Sequence, residues 1–134
     1  IYSKSKNRDF KNYDSIVFGI NKKDKNYIIN YISAAIFYKN NVDKCYDKKS
    51  LIIKDLSILL KGAETFDYGI TQHPADPSGE SISETTYFFL KPEDDTSNIK
   101  ISCVDWSEKM PPTDHLKIVI ANNQIVEWFR NEAY

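Results

Sequence analysis

Glycine is scarce in this chain, four in 134 residues, and that alone removes several chemistries. A Walker loop, a dinucleotide fingerprint or any other Gly-rich phosphate cradle needs clustered glycines, because only a backbone without Cβ atoms wraps a phosphate closely. No serine sits in a nucleophile elbow. Histidine is rarer still: His73 and His115 are the two, with Asp76 three residues after the first and Asp114 beside the second. A metal centre needs three or four convergent ligands, and no zinc spacing is present. Solvated loop histidines are the expectation, with no metal and no cofactor. A nucleophile–base pair of Cys45 or Cys103 with either histidine is drawable in any chain holding two of each, so it carries little weight.

Cysteine and long apolar runs are also in short supply. Cys45 and Cys103 are the two cysteines, and one well-separated pair is a weak sign of a disulfide framework. The expectation is two reduced thiols, Cys103 facing the core from a strand as a small hydrophobe. That leans towards the cytoplasm, with the periplasm as the alternative if a signal peptide was removed before Ile1. The first dozen residues, with Lys4, Lys6, Arg8 and Lys11, lack the apolar region of a signal peptide and read as a loose basic arm. Nothing approaches the run of about 18 apolar residues that spans a bilayer, so no membrane partner is expected. No repeat or low-complexity tract appears, which excludes solenoids.

What remains is an ordinary globular composition, 41% hydrophobic and 28% charged, long enough for one core. The expectation is a single α+β domain over 1–134: two helices packed on a mainly antiparallel sheet of five or six strands. The stretch 83–131 reads as a C-terminal four-stranded meander, with strands at 85–91, 99–106, 116–120 and 124–130. Each run is rich in β-branched or aromatic residues and bounded by Pro, Asn, Asp or Ser. Upstream, Ile16, Phe18 and Ile20 alternate on one face of a first strand, where Gly19 marks a bulge or a close contact. From Lys25, the spacing of Ile28, Tyr31, Ile32, Ala35 and Ile36 predicts a helix capped by Asp24 and ending near residues 39–41. A basic connector through Cys45 and Lys49 leads to a second helix over 50–61, with Ile52, Ile53, Leu56, Leu59 and Leu60 buried. Gly62 follows as a left-handed stop. A strand at 66–71 precedes the clearest loop, 72–81, which holds two prolines and a glycine.

The net charge of −1 hides an asymmetry. Residues 1–62 carry thirteen Lys or Arg against six Asp, a net of +7; the rest carry five bases against thirteen acids, a net of −8. Such polarity hints at an electrostatically steered partner, unless the two halves share one surface and the signs mix. The basic clusters invite nucleic acid, but the pI of about 6.1 and the lack of any recognised motif disfavour it. The acidic half is the more suggestive surface. Its candidate partner-binding residues are Asp76, Glu80 and Glu84 before the first meander strand, then Glu93, Asp94 and Asp95 in the first turn. Asp105, Trp106, Glu108 and Asp114 follow around the second turn. Trp106 is the aromatic anchor, while Trp128, sharing a strand face with Val126, reads as core.

Small size, a Lys/Asn/Ile/Tyr-rich composition, charge polarity and acidic loops together resemble the small immunity proteins that neutralise bacterial polymorphic toxins, including those of contact-dependent inhibition systems. The resemblance implies an inhibitor, not an enzyme, that covers the active site of a cognate, basic, nuclease-type toxin. Two other readings stand beside it: a ligand-binding domain or enzyme with a pocket near His73 or His115, and a nucleic-acid-binding domain using residues 4–49.

Overall fold

The computed structural model describes residues 2–5, 12–20, 24–39, 41–91 and 94–122. These residues form a seven-stranded antiparallel sheet with one helix on one face. In chain order they are β1 (Tyr2–Ser5), β2 (Ser15–Ile20), β3 (Ile29–Phe37), α1 (Val42–Leu59), β4 (Glu64–Gln72), β5 (Ile82–Lys91), β6 (Asp94–Asp105) and β7 (His115–Ala121). Across the sheet the order is β1-β2-β3-β7-β6-β5-β4. The chain leaves β3, crosses the sheet through α1, restarts at the far edge with β4, and returns strand by strand until β7 docks beside β3.

The two-helix expectation is wrong, and the error lies in β3. Ile28, Tyr31, Ile32, Ala35 and Ile36 do fall at helical spacing, but the stretch is also rich in β-branched and aromatic residues, and a short apolar run fits either period. Paired with β2 on one side and β7 on the other, β3 is a central strand. Its apolar residues fall on both sides of the strand, so it reads as a near-continuous apolar run although its ends, Ile29 and Phe37, are exposed. Asp24 does cap backbone, as expected, but not that of a helix: its carboxylate accepts from the N–H groups of Asn26 at 2.9 Å and Ile28 at 3.2 Å. The turn it closes holds Tyr27 at φ +54°.

The helix that does form starts eight residues before the expected position. Asn41 is its N-cap, with the side-chain oxygen accepting from the Lys44 N–H at 3.4 Å. Its inner stripe is Val42, Cys45, Tyr46, Lys49, Ile52, Ile53, Leu56 and Leu60, a regular 3.6-residue pattern once Lys49 is admitted to it. Leu59, expected inside, is 75% exposed. Gly62, at φ +98°, stops the chain in a conformation that Cβ-bearing residues avoid.

The C-terminal four-stranded meander is also corrected: among the described residues the consecutive antiparallel strands are β4-β5-β6-β7, and both edges of β7 are taken, by β6 and β3. The expected strand 124–130 lies outside the described residues. Under α1 the core gathers Phe88, Ile99, Ile101, Cys103 and Leu116, flanked by Ile36 and Ile118. Gly19 has both roles foreseen for it. The register slips between Gly19 and Ile20, and a Cβ there would sit 2.9 Å from that of Tyr31.

Cys45 and Cys103 are not reduced thiols but a disulfide, with Cα atoms 5.9 Å apart. It ties the first turns of α1 to the middle of the sheet. Cys103 faces the core as expected; what the linear chain conceals is that α1 brings Cys45 over it.

Candidate recognition surface

At one end of the sheet, β4 and β6 finish, β5 and β7 begin, and α1 starts. The loops 73–81 and 106–114 therefore lie side by side there. Asp76 joins them. One carboxylate oxygen accepts from the Ser78 N–H at 2.9 Å and hydroxyl at 2.7 Å. The other accepts from the Ser81 N–H at 3.0 Å and hydroxyl at 2.6 Å, and from the Ser107 hydroxyl at 3.2 Å. The Ser107 N–H donates to the Ser81 hydroxyl oxygen at 2.9 Å, which completes the brace. Sequence reasoning offers Asp76 as a partner-binding group; the structure turns it inward and buries it.

Donors on every side hold the Asp76 carboxyl well below the ordinary carboxylate range, the Ser81 and Ser78 hydroxyls most strongly. A depressed folded-state pKa adds stability that is complete above the unfolded value, near 3.8, and is lost as the pH falls from there through the folded value. Urea midpoints measured between about pH 2 and pH 7 should therefore drop steeply at the acid end. In Asp76→Asn the midpoint should be lower at neutral pH and its acid limb flatter.

Three further carboxylates lie at this end, near enough for Asp114 and Asp43 to act electrostatically on Asp105. Asp43 lies in the first turn of α1, Asp105 ends β6, and Asp114 precedes β7. The Asp114 carboxylate accepts from the Trp106 N–H at 2.8 Å, and its backbone carbonyl accepts from the Tyr38 N–H at 2.7 Å. Asp105 is pushed above the ordinary carboxylate range, first by burial, then by Asp114 and Asp43. Tyr46 stands among them; burial first, then Asp105 and Glu84, raise its phenol. Part of this charge answers the positive N-terminal end of the helix dipole. Asp105 and Asp114 are half-buried, Glu108 is exposed in the loop between them, and Glu80 forms a solvent-exposed ion pair with Lys109 at 2.7 Å.

On the opposite side of the same end, Trp106 packs against His73, ring centroids 4.3 Å apart, and His115 lies 6.5 Å from Trp106. The indole N–H of Trp106 is buried without a hydrogen-bond partner. Ala75 donates its N–H to His73 Nδ1 at 3.3 Å, so that nitrogen is an acceptor and the ring neutral. Burial, then His115 and Lys100, hold His73 below the usual imidazole value. His115 Nδ1 lies 2.9 Å from the Thr113 carbonyl, which can only accept, so Nδ1 carries the proton.

Of the predicted residues, Asp105, Asp114 and the Trp106 backbone are neighbours; Glu80 and Glu108 lie in the loops of the same end, the Trp106 ring packs on its opposite side, and Glu84, Asp94 and Asp95 are elsewhere. Glu84 is spent on a salt bridge to Lys49 at 2.8 Å. Asp94 and Asp95 begin β6, whose far end is Asp105, about 35 Å along the strand; Glu93 lies outside the described residues. Sequence reasoning missed Asp43 and Tyr46, which it left in a connector. The helical spacing from Val42 through Cys45, Lys49 and Ile52 would have placed them. Among the described residues, no three His, Cys, Asp or Glu converge as a metal-holding group, and no helix is long and apolar enough to cross a membrane. Comparison with protein-family models, curated proteins and solved structures finds no match.

Proposed function

We propose that this chain is a protein-binding inhibitor that docks a basic partner at the braced, acidic end of the sheet, in the manner of the immunity proteins it resembles. The observation that supports this best is the electrostatic effect of Asp114 and Asp43 on Asp105, three carboxylates delivered to one end of the sheet by different parts of the chain. Burial first, then Asp114 and Asp43, push Asp105 above its ordinary range, so an approaching cation would relieve repulsion as well as gain contacts. Loops on a rigid scaffold are where recognition is commonly built, and the Asp76 brace supplies that rigidity before any partner arrives, which lowers the entropy lost on binding. A nuclease-type toxin, whose own substrate is polyanionic, is the partner chemistry this surface suits.

The Cys45–Cys103 bond favours an oxidising compartment over the cytoplasm, so the periplasmic alternative is the one we adopt. Asp43 and Glu108 are exposed and make no hydrogen bond to another side chain among the described residues; reversing Asp43 costs the helix N-terminus about 1 kcal/mol, so a thermal melt accompanies the binding measurement. Affinity capture from a native extract of the source cells should retain a basic protein on the wild-type chain. With Asp43→Lys and Glu108→Lys combined, the measured affinity should fall by about tenfold or more, about 1.4 kcal/mol. Retention of no basic protein, or equal affinity for both chains, would remove the reading.

A further inference from the structure

The sheet face turned away from α1 carries a second feature that the acidic end does not explain. Because Cys103 points to the helix, Lys100, Ser102 and Val104 point the other way. Reading across the register from Lys100 gives Tyr87 and then Phe66; from Val104 it gives His115 and then Phe37. The two rows lie about 14 Å apart along the strands, with the small Ser102 and Thr85, and Lys117, in the row between.

A solvated sheet face is normally polar. This one exposes rings: Phe66 is 50% and Tyr68 60% accessible. They meet edge-to-face at 5.0 Å, and Tyr68 meets Tyr87 at 5.7 Å. Lys100 lies 5.8 Å over the Tyr87 ring. Lys100 and Lys117 are close enough that Lys117, after burial, lowers the Lys100 pKa. Two cations, Lys117 exposed and Lys100 half-buried, therefore stand between the tyrosine cluster and the Trp106 group, and Lys117 is the one an anion reaches freely. Glu64 stands at the far margin, one row beyond Phe66.

The geometry points to a second binding surface here, one that takes single-stranded nucleic acid, with bases on the Phe66–Tyr68–Tyr87 rings and phosphates at Lys100 and Lys117. Every base has a face to stack on an aromatic ring, while its phosphates need cations at intervals along the path. Rings separated by paired lysines provide both. The low overall pI, which argues against nucleic acid for the whole chain, does not describe one face of it.

The test is fluorescence anisotropy of the full chain with a labelled oligothymidylate of about twelve nucleotides, at about 20 mM salt rising to about 200 mM. A Kd of about 10 µM is expected at the low end. Tyr68→Ala should weaken it about tenfold, the effect of losing one stacked base. Lys100→Gln with Lys117→Gln should reduce the log–log salt slope by about 1.4, two single-strand phosphate contacts. Four results overturn the proposal: no binding at low salt; equal binding of an abasic strand of the same length, which would mean charge capture alone; loss that maps to Lys22, Lys23 and Lys25 instead; or a Tyr68→Ala chain that changes oligomeric state with unchanged oligonucleotide affinity, which would make the ring face a self-association surface. The abasic comparison uses the unaltered protein, so it decides the matter even if a variant folds poorly.

Discussion

Replacing Cys45 and Cys103 together by alanine should destabilise the protein by about 4 kcal/mol, the chain-entropy value for a loop of this span. The bonded residues are 58 positions apart, and the loop between them contains most of α1, all of β4 and β5, and most of β6. Without the bond, the unfolded chain regains that whole loop's freedom. At this chain length the loss corresponds to roughly 15 °C in the thermal midpoint. The folded state feels it too: both sulfurs sit in fully buried residues at the centre of the core. Thermal melts with and without reductant check this directly. Reductant should bring the wild type down to the double variant and leave the variant unmoved; equal midpoints for all four samples would show that the bond contributes nothing.

The second large effect concerns Lys49. Its side chain is 2% exposed and its ammonium meets Glu84, itself 31% exposed, at 2.8 Å. A buried charge is tolerated because it is paired. Removing one partner leaves the other desolvated and alone, at a cost of about 3 kcal/mol, the lower end of the usual range because Glu84 is partly wet. Glu84→Ala should therefore lower the urea midpoint strongly. Adding Lys49→Met, which keeps the volume and discards the charge, should recover at least half of the loss. If the double variant is no more stable than Glu84→Ala alone, the pair is not the reason Lys49 is tolerated in the core.

Those two contacts also show why the fold was only partly legible. Strands β5, β6 and β7 announce themselves by their β-branched and aromatic residues and by the turn residues that bound them, and β2 by alternation and Gly19. Strand β3 does not, because a central strand is apolar on both sides and its residues also satisfy a helical wheel. The first half of α1 was hidden by Lys49, a charged residue on the inner stripe whose partner lies 35 positions away. Its neighbours then read as a polar connector. Nor does the linear chain say that Cys45 rides on that same hidden half-helix, which is why the bond was not foreseen.

The site follows the same pattern. The acidic character of the second turn was visible, and there Asp114 acts on Asp105 while Glu108 is exposed on the same loop. Which acids face solvent was not. Glu84 and Asp76 count equally in a charge tally, yet one neutralises Lys49 and the other braces two loops. For Asp76 a local signal existed: Asp-Pro-Ser-Gly is the composition of a turn whose aspartate accepts from the backbone two residues on, and the Ser78 N–H does donate to it. The charge asymmetry of the two halves fares less well. β3 from the basic half pairs with β7 from the acidic half, and Lys49 meets Glu84, so the halves share one sheet.

The most direct measurement is the hydrogen-exchange footprint of the captured partner on the unaltered, disulfide-bonded chain. Protection concentrated in residues 73–81, 106–114 and the start of α1 at 41–46 is the predicted result. Protection centred on the opposite end of the sheet, around residues 60–63 or the start of β6, with the two loops unchanged, would contradict the account.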